Sequence, residues 1–189
     1  MASGRKPGRI TLDIAVEAGG WPPPARLRKI AQRAVDAAAA GAPRRPAGAP
    51  GRSGAGELSL LFTDDRHMRA LNRTWRKVDK STNVLSFPSG ELAGAGGGET
   101  QAFPAFLGDI ALAFETIDRE SKTSALTFED HLTHLIVHGF LHLLGFDHVK
   151  NDEAAVMERL EVAILGGIGI EDPYRAPRGL KPGRRRRAN

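Results

Sequence analysis

The chain has 189 residues, 41 % of them hydrophobic, which suits one domain with its own core and leaves little for a second. It has no cysteine, so disulfides and thiolate ligands are excluded and any metal must be held through nitrogen and oxygen. The formal net charge is +5, yet three basic residues lie within 1–9, three within 37–56 and seven within 175–189, so the remainder is acidic.

Residues 1–9 read as a flexible basic N-terminus without the apolar core of a signal peptide, and no apolar run reaches membrane-spanning length. A soluble, cytoplasmic protein with no membrane partner is expected. Ile10, Leu12, Ile14 and Val16 alternate with less apolar neighbours and predict a strand over 10–16. Three prolines then precede a helix from about Ala25 to Ala40, since proline is tolerated at a helix start. Residues 41–56 are low-complexity, and they are expected to form a disordered insert within the domain because a core strand, 57–63, follows at once.

Thr63 or Asp64 can cap a helix over about 65–76, and Asn83–Phe87 reads as a short strand. A second glycine-rich insert spans 89–105, followed by a strand over 107–114 and a short helix over 115–122. A long helix then runs from near Thr127 to near Leu144, with His131, His134, His138 and His142 in one stripe at about 100° per residue. Apolar residues fill much of its remaining circumference, so the helix is buried and its polar stripe is expected to face a cleft. A last helix runs over 151–165, and residues 175–189 form a basic tail that can neutralise phosphates without reading sequence, or can simply be solvated. Strands and helices in this order predict an α+β domain over 10–174: a small mixed four-stranded sheet packed with helices, a buried central helix carrying the metal histidines.

The chemistry concentrates in His138-Gly-Phe-Leu-His142-Leu-Leu-Gly145-Phe-Asp-His148. Residues four apart share a helix face, Gly145 offers a C-terminal stop, and the turn can return His148 toward the first two imidazoles. Three nitrogens with an open fourth position is how catalytic zinc is usually held. The spacing equals that of the metzincin proteases, but Gly139 stands where their glutamate base belongs. A buried helix with hydrogen-bonded histidines accounts for one of these residues more easily than for three. His134 is either a supporting or proton-transfer group or a polar residue at a cleft edge, and His131 is expected at the surface. Asp147 can orient an imidazole or merely shape a turn, and Asp109 is a cleft carboxylate or a strand-end charge. None replaces the glutamate, and no general base is assigned.

The histidine segment resembles the signature of the YbeY family of rRNA maturation factors, HG-x-LHL-x-G-[YF]-DH. Leu71–Pro88 is similar to the family's LN-x-x-[YF]-R…DK-x-T-[DN]-VLSFP block, Leu107-Gly-Asp-Ile110 to its LGDI strand, and Ile170-Glu-Asp-Pro-Tyr174 to its closing segment. The resemblance spans roughly 57–174. It implies a zinc-dependent, single-strand-specific endoribonuclease acting in 16S rRNA 3′-end maturation and late ribosome quality control. It further implies one Zn²⁺ on His138, His142 and His148, a functional arginine at Arg76, and as partners single-stranded RNA, the 16S rRNA precursor and the ribosome or its small subunit. From the residues alone, Arg76 reads more readily as a helix-end arginine paired with solvent or Asp79, since arginines are mostly exposed, and the resemblance turns that reading toward function. A peptidase and a non-catalytic, zinc-stabilised assembly factor are the competing readings. Gly139 argues against the first, and three ligands, where structural zinc usually has four, against the second.

Overall fold

The computed structural model describes residues 10–18, 20–43, 56–89, 105–146 and 151–175. The N-terminal segment, most of both expected inserts, the expected tail beyond Arg175, and Asp147 and His148 lie outside them. The elements run β1 (Ile10–Val16), α1 (Pro24–Gly41), β2 (Gly56–Thr63), α2 (Asp65–Arg76), β3 (Val84–Pro88), β4 (Ala105–Ala113), α3 (Phe114–Ser121), α4 (Phe128–Leu143) and α5 (Asn151–Gly167). Order and type match the sequence expectation, and boundaries differ by one or two residues. β4 starts at Ala105, inside the expected insert, because it pairs with Gly56 at the start of β2.

The sheet order is β1-β2-β4-β3. β1, β2 and β4 are parallel, with Leu12 opposite Leu58 and Leu60 opposite Ile110, while β3 runs antiparallel on the outer edge of β4 with Ser86 opposite Ile110. Parallel neighbours need a crossover, which α1 supplies between β1 and β2. The register shifts between Glu57 and Leu58, where β4 fits an additional residue. Gly108 sits at this bulge with φ +132°, and a Cβ there would lie 2.2 Å from the Phe87 carbonyl oxygen.

Alternation divides the strands between two cores. Leu58, Leu60, Phe62, Ile110 and Leu112 pack with α1, α4 and α5, whereas Leu85, Ala111 and Ala113 form a smaller cluster with Met68 of α2. α4 starts at Thr127, whose hydroxyl accepts the Asp130 N–H at 3.2 Å, with Glu129 and Asp130 favouring the helix dipole in the first turn. Leu132, Leu135, Ile136, Val137, Phe140, Leu141 and Leu143 are all buried on it, so α4 is apolar nearly all round, as expected. Full burial of one such side chain is worth about 1.5–3 kcal/mol.

α4 meets the sheet at Gly139. A Cβ there would lie 3.0 Å from Ser86 Oγ and 3.1 Å from Ile110 Cδ1, and the Ser86 hydroxyl donates to the Gly139 carbonyl at 3.2 Å. The helix stops as the glycine predicted: Gly145 has φ +86°, its N–H reaches the His142 carbonyl at 2.9 Å, and the Phe146 N–H reaches that of Leu141 at 3.1 Å. α5 ends in the same motif at Gly169, where the Ile170 N–H donates to the Leu165 carbonyl at 3.0 Å. This stop leads the chain through the buried Ile170 to Tyr174.

Candidate metal centre

One helical turn on α4 brings the Nε2 atoms of His138 and His142 to 3.1 Å from each other. Two nitrogens bound tetrahedrally to one zinc at 2.0–2.1 Å would be separated by about 3.3 Å, so this pair needs almost no adjustment to share an ion. The donor set is all nitrogen, which suits zinc among the common divalent ions. Among the described residues no cluster of three or more His, Asp or Glu gathers for a metal, and the third expected ligand, His148, lies outside those residues.

Behind the pair stands a carboxylate that sequence reasoning missed. Glu161 of α5 has no exposed surface, and its Oε1 lies 2.8 Å from His138 Nδ1 while its Oε2 lies 2.7 Å from His134 Nε2. The Tyr174 hydroxyl donates to Oε2 as well. A carboxylate can only accept these bonds, so both facing ring nitrogens carry hydrogen. With hydrogen on Nδ1, the ring atom of His138 left to offer a lone pair is Nε2, which faces His142. This is the usual way a protein fixes a ligand histidine's tautomer and orientation.

The electrostatics agree. Burial pushes the Glu161 carboxyl up, but its bonds from His134 and His138, the attraction of His138 and the Tyr174 hydroxyl outweigh this and hold it down at about 2. Burial and the neighbouring carboxylate push the Tyr174 phenol up, so it remains a donor. A signal for Glu161 did exist. Met157, Ile164 and Leu165 are buried around it at helical spacing, so a charged residue occupied the apolar stripe of α5.

The other candidates separate. The histidine stripe meets Glu161 of α5 through His134 and His138 and Glu120 through His131, so it is not simply a cleft wall. His131, expected at the surface, is half-buried with Nε2 2.9 Å from Glu120 Oε2, and its burial lowers its pKa against the pull of that carboxylate. His134 is buried against Glu161, the supporting position rather than a cleft edge. Asp109 is exposed on β4. Arg76, at the end of α2, donates to the Ser86 carbonyl at 3.4 Å, while Asp79 is held by Arg69 through two bonds of 2.7 Å. Arg76 therefore reaches the strand residue whose hydroxyl holds Gly139, one position from His138.

The family model described as Endoribonuclease YbeY matches residues 23–169. Proteins named endoribonuclease YbeY from Rhizobium meliloti (strain 1021) and Chelativorans sp. (strain BNC1) are 46 % and 50 % identical, each match covering 87 % of this chain and 95 % and 93 % of theirs. The solution structure of TM1509 from Thermotoga maritima, 18 % identical, aligns over 91 % of this chain and 99 % of that one with a TM-score of 0.45. No helix among the described residues is long and apolar enough to cross a membrane. With the family model matching most of its length and relatives this similar covering nearly all of theirs, the chain belongs to the endoribonuclease YbeY family.

Proposed function

We propose that this protein is a zinc-dependent endoribonuclease specific for single-stranded RNA, with one zinc ion held by His138, His142 and His148. In this reading it trims the 3′ end of 16S rRNA and serves late ribosome quality control, working in the cytoplasm on the rRNA precursor or the small subunit. The observation that carries the metal reading is the convergence of His138 and His142 backed by buried Glu161. The names of the relatives support RNA as the substrate.

A zinc ion in this position supplies Lewis acidity, withdrawing charge from a phosphoryl oxygen and making water easier to deprotonate. The chain's own part is to hold and orient. Glu161 fixes the His138 ring through Oε1 with Nε2 toward His142, and His134 and Tyr174 both donate to its Oε2. Arg76 is the phosphate-binding cation of this reading, since a guanidinium fits two phosphate oxygens at once and offsets the charge that builds during cleavage. Its bond to Ser86, on the strand that abuts α4 at Gly139, supports that role. A peptidase is disfavoured, because the position of the metzincin glutamate is packed against Ser86 and Ile110.

The test is cleavage of single-stranded and duplex RNA by zinc-loaded wild type, His142→Ala and Arg76→Glu, with metal content measured in parallel. Both variants are expected to lose single-strand cleavage, and only His142→Ala to lose metal. Equal cleavage by all three would trace the activity to a contaminant, and a zinc-stabilised assembly factor would replace the nuclease reading.

A further inference from the structure

The end of α2 carries an exposed aromatic residue. Trp75 is 65 % exposed, and its ring centroid lies 5.9 Å from that of Phe87 on the edge strand β3, at 65°. Around it Arg73, Arg76, Lys77 and Lys80 are all exposed, as is Val78. The one acid in this stretch, Asp79, is taken up by Arg69. Lys77 ends the helix in the left-handed conformation, φ 61°, with its ammonium on the Thr74 carbonyl at 2.9 Å. Asp79 attracts Arg73 as well, but among the described residues Arg76, Lys77 and Lys80 pair with no carboxylate, so the surface joins an open indole to a set of cations in excess over their acids.

The patch borders the candidate metal centre through the chain itself. Phe87 follows Ser86, which accepts from Arg76 and donates to Gly139, between His138 and Phe140. An exposed indole flanked by cations is the surface chemistry that takes an unpaired base with its phosphates, because every base presents a π-face and every backbone step a negative charge. A protein partner would be expected to select further exposed apolar side chains and fewer lysines.

We propose that Trp75 is a stacking platform for one unpaired base of the RNA substrate, with Arg73, Lys77 and Lys80 neutralising the flanking phosphates. This rests on the endoribonuclease reading and deepens it: the platform rewards a strand whose bases are unstacked, which a duplex does not offer. Trp75 here is a binding residue, separate from the groups that surround the metal.

The experiment uses the full chain stripped of metal with a chelator, so that RNA is bound and not cut. The probe is a labelled, unstructured RNA of about twelve nucleotides, within the span such surfaces cover. Loss of one base stack should weaken binding by about 5- to 150-fold in Trp75→Ala, and by a similar factor in Trp75→Leu, while Trp75→Phe stays close to wild type. Intrinsic fluorescence gives a second readout, because the only other tryptophan, Trp21, is partly buried with its indole N–H on the Thr63 carbonyl at 3.1 Å. RNA should quench wild-type emission and leave that of Trp75→Ala unchanged. Lys77→Ala and Lys80→Ala should each flatten the salt dependence of binding by about one ion.

Wild-type affinity in Trp75→Ala or Trp75→Leu overturns the platform, leaving the nuclease reading intact and the patch to a protein partner. Failure of the metal-loaded wild type to cleave any RNA sinks the nuclease reading instead.

Discussion

Glu161→Gln tests how the candidate centre is held. Three donors converge on this carboxylate: His138 Nδ1–H on Oε1, and His134 Nε2–H with the Tyr174 hydroxyl on Oε2. Hydrogen bonds to a charged group are worth about 1.5–3 kcal/mol each. Glutamine has the same shape but offers one acceptor oxygen and one NH₂ donor. Its better orientation keeps the oxygen on His134 and Tyr174 and turns the NH₂ toward His138 Nδ1. That nitrogen must then accept, which moves the proton of the His138 ring to Nε2, the atom that should bind the metal. Loss of such a supporting partner weakens metal binding about 10- to 100-fold, equivalent to about 1.4–2.7 kcal/mol. Zinc affinity is measured by competition with a chelator, and the tautomer of His138 by nitrogen NMR of the metal-free protein. Unchanged affinity with Nδ1 still protonated would show that Glu161 is only a buried charge partner and not the group that orients the ligand.

The space around Gly139 gives a second prediction. Gly139→Glu, which restores the metzincin pattern, should yield little folded protein and no peptidase activity, since its side chain would enter between Ser86 and Ile110. Gly139→Ala sets a helix-propensity gain of about 1 kcal/mol against overpacking of about 1–3 kcal/mol, and thermal unfolding should find it near neutral to moderately destabilised. Wild-type melting of the Glu variant would refute the packing account. A third prediction concerns pH. The backbone N–H of His67 beside Asp64 lowers the carboxyl of this α2 cap below 3.8. A depressed folded pKa contributes stability that is present above the unfolded value and is lost as pH falls through the folded one. Asp64→Ala should therefore cost about 1 kcal/mol near neutral pH, and its deficit in melting temperature should shrink as pH drops below the ordinary aspartate value. A deficit independent of pH would mean the cap charge contributes nothing.

Local chemistry made much of this protein legible from sequence. Alternation over 10–16 and 57–63, the glycine stop at Gly145, the cap before α2 and the spacing of His138 and His142 each depend on residues within one turn or one strand, and each holds in the structure. The four motifs of Leu71–Pro88, Leu107–Ile110, His138–His148 and Ile170–Tyr174 pointed to the family that the relatives establish. What tertiary structure decided is which distant groups meet. Strand direction and order followed from packing, because β3 reads the same from sequence whether it pairs parallel or antiparallel. Glu161 lies 23 residues from His138 and Arg76 10 from Ser86, so neither spacing carries a periodic signal. Gly139 looked like a missing base along the chain and is a helix–sheet contact in space, since only the fold puts Ser86 and Ile110 against it. Short-range order is fixed by propensity and capping, whereas the environment of His138 depends on side chains that only the closed core brings within hydrogen-bond distance.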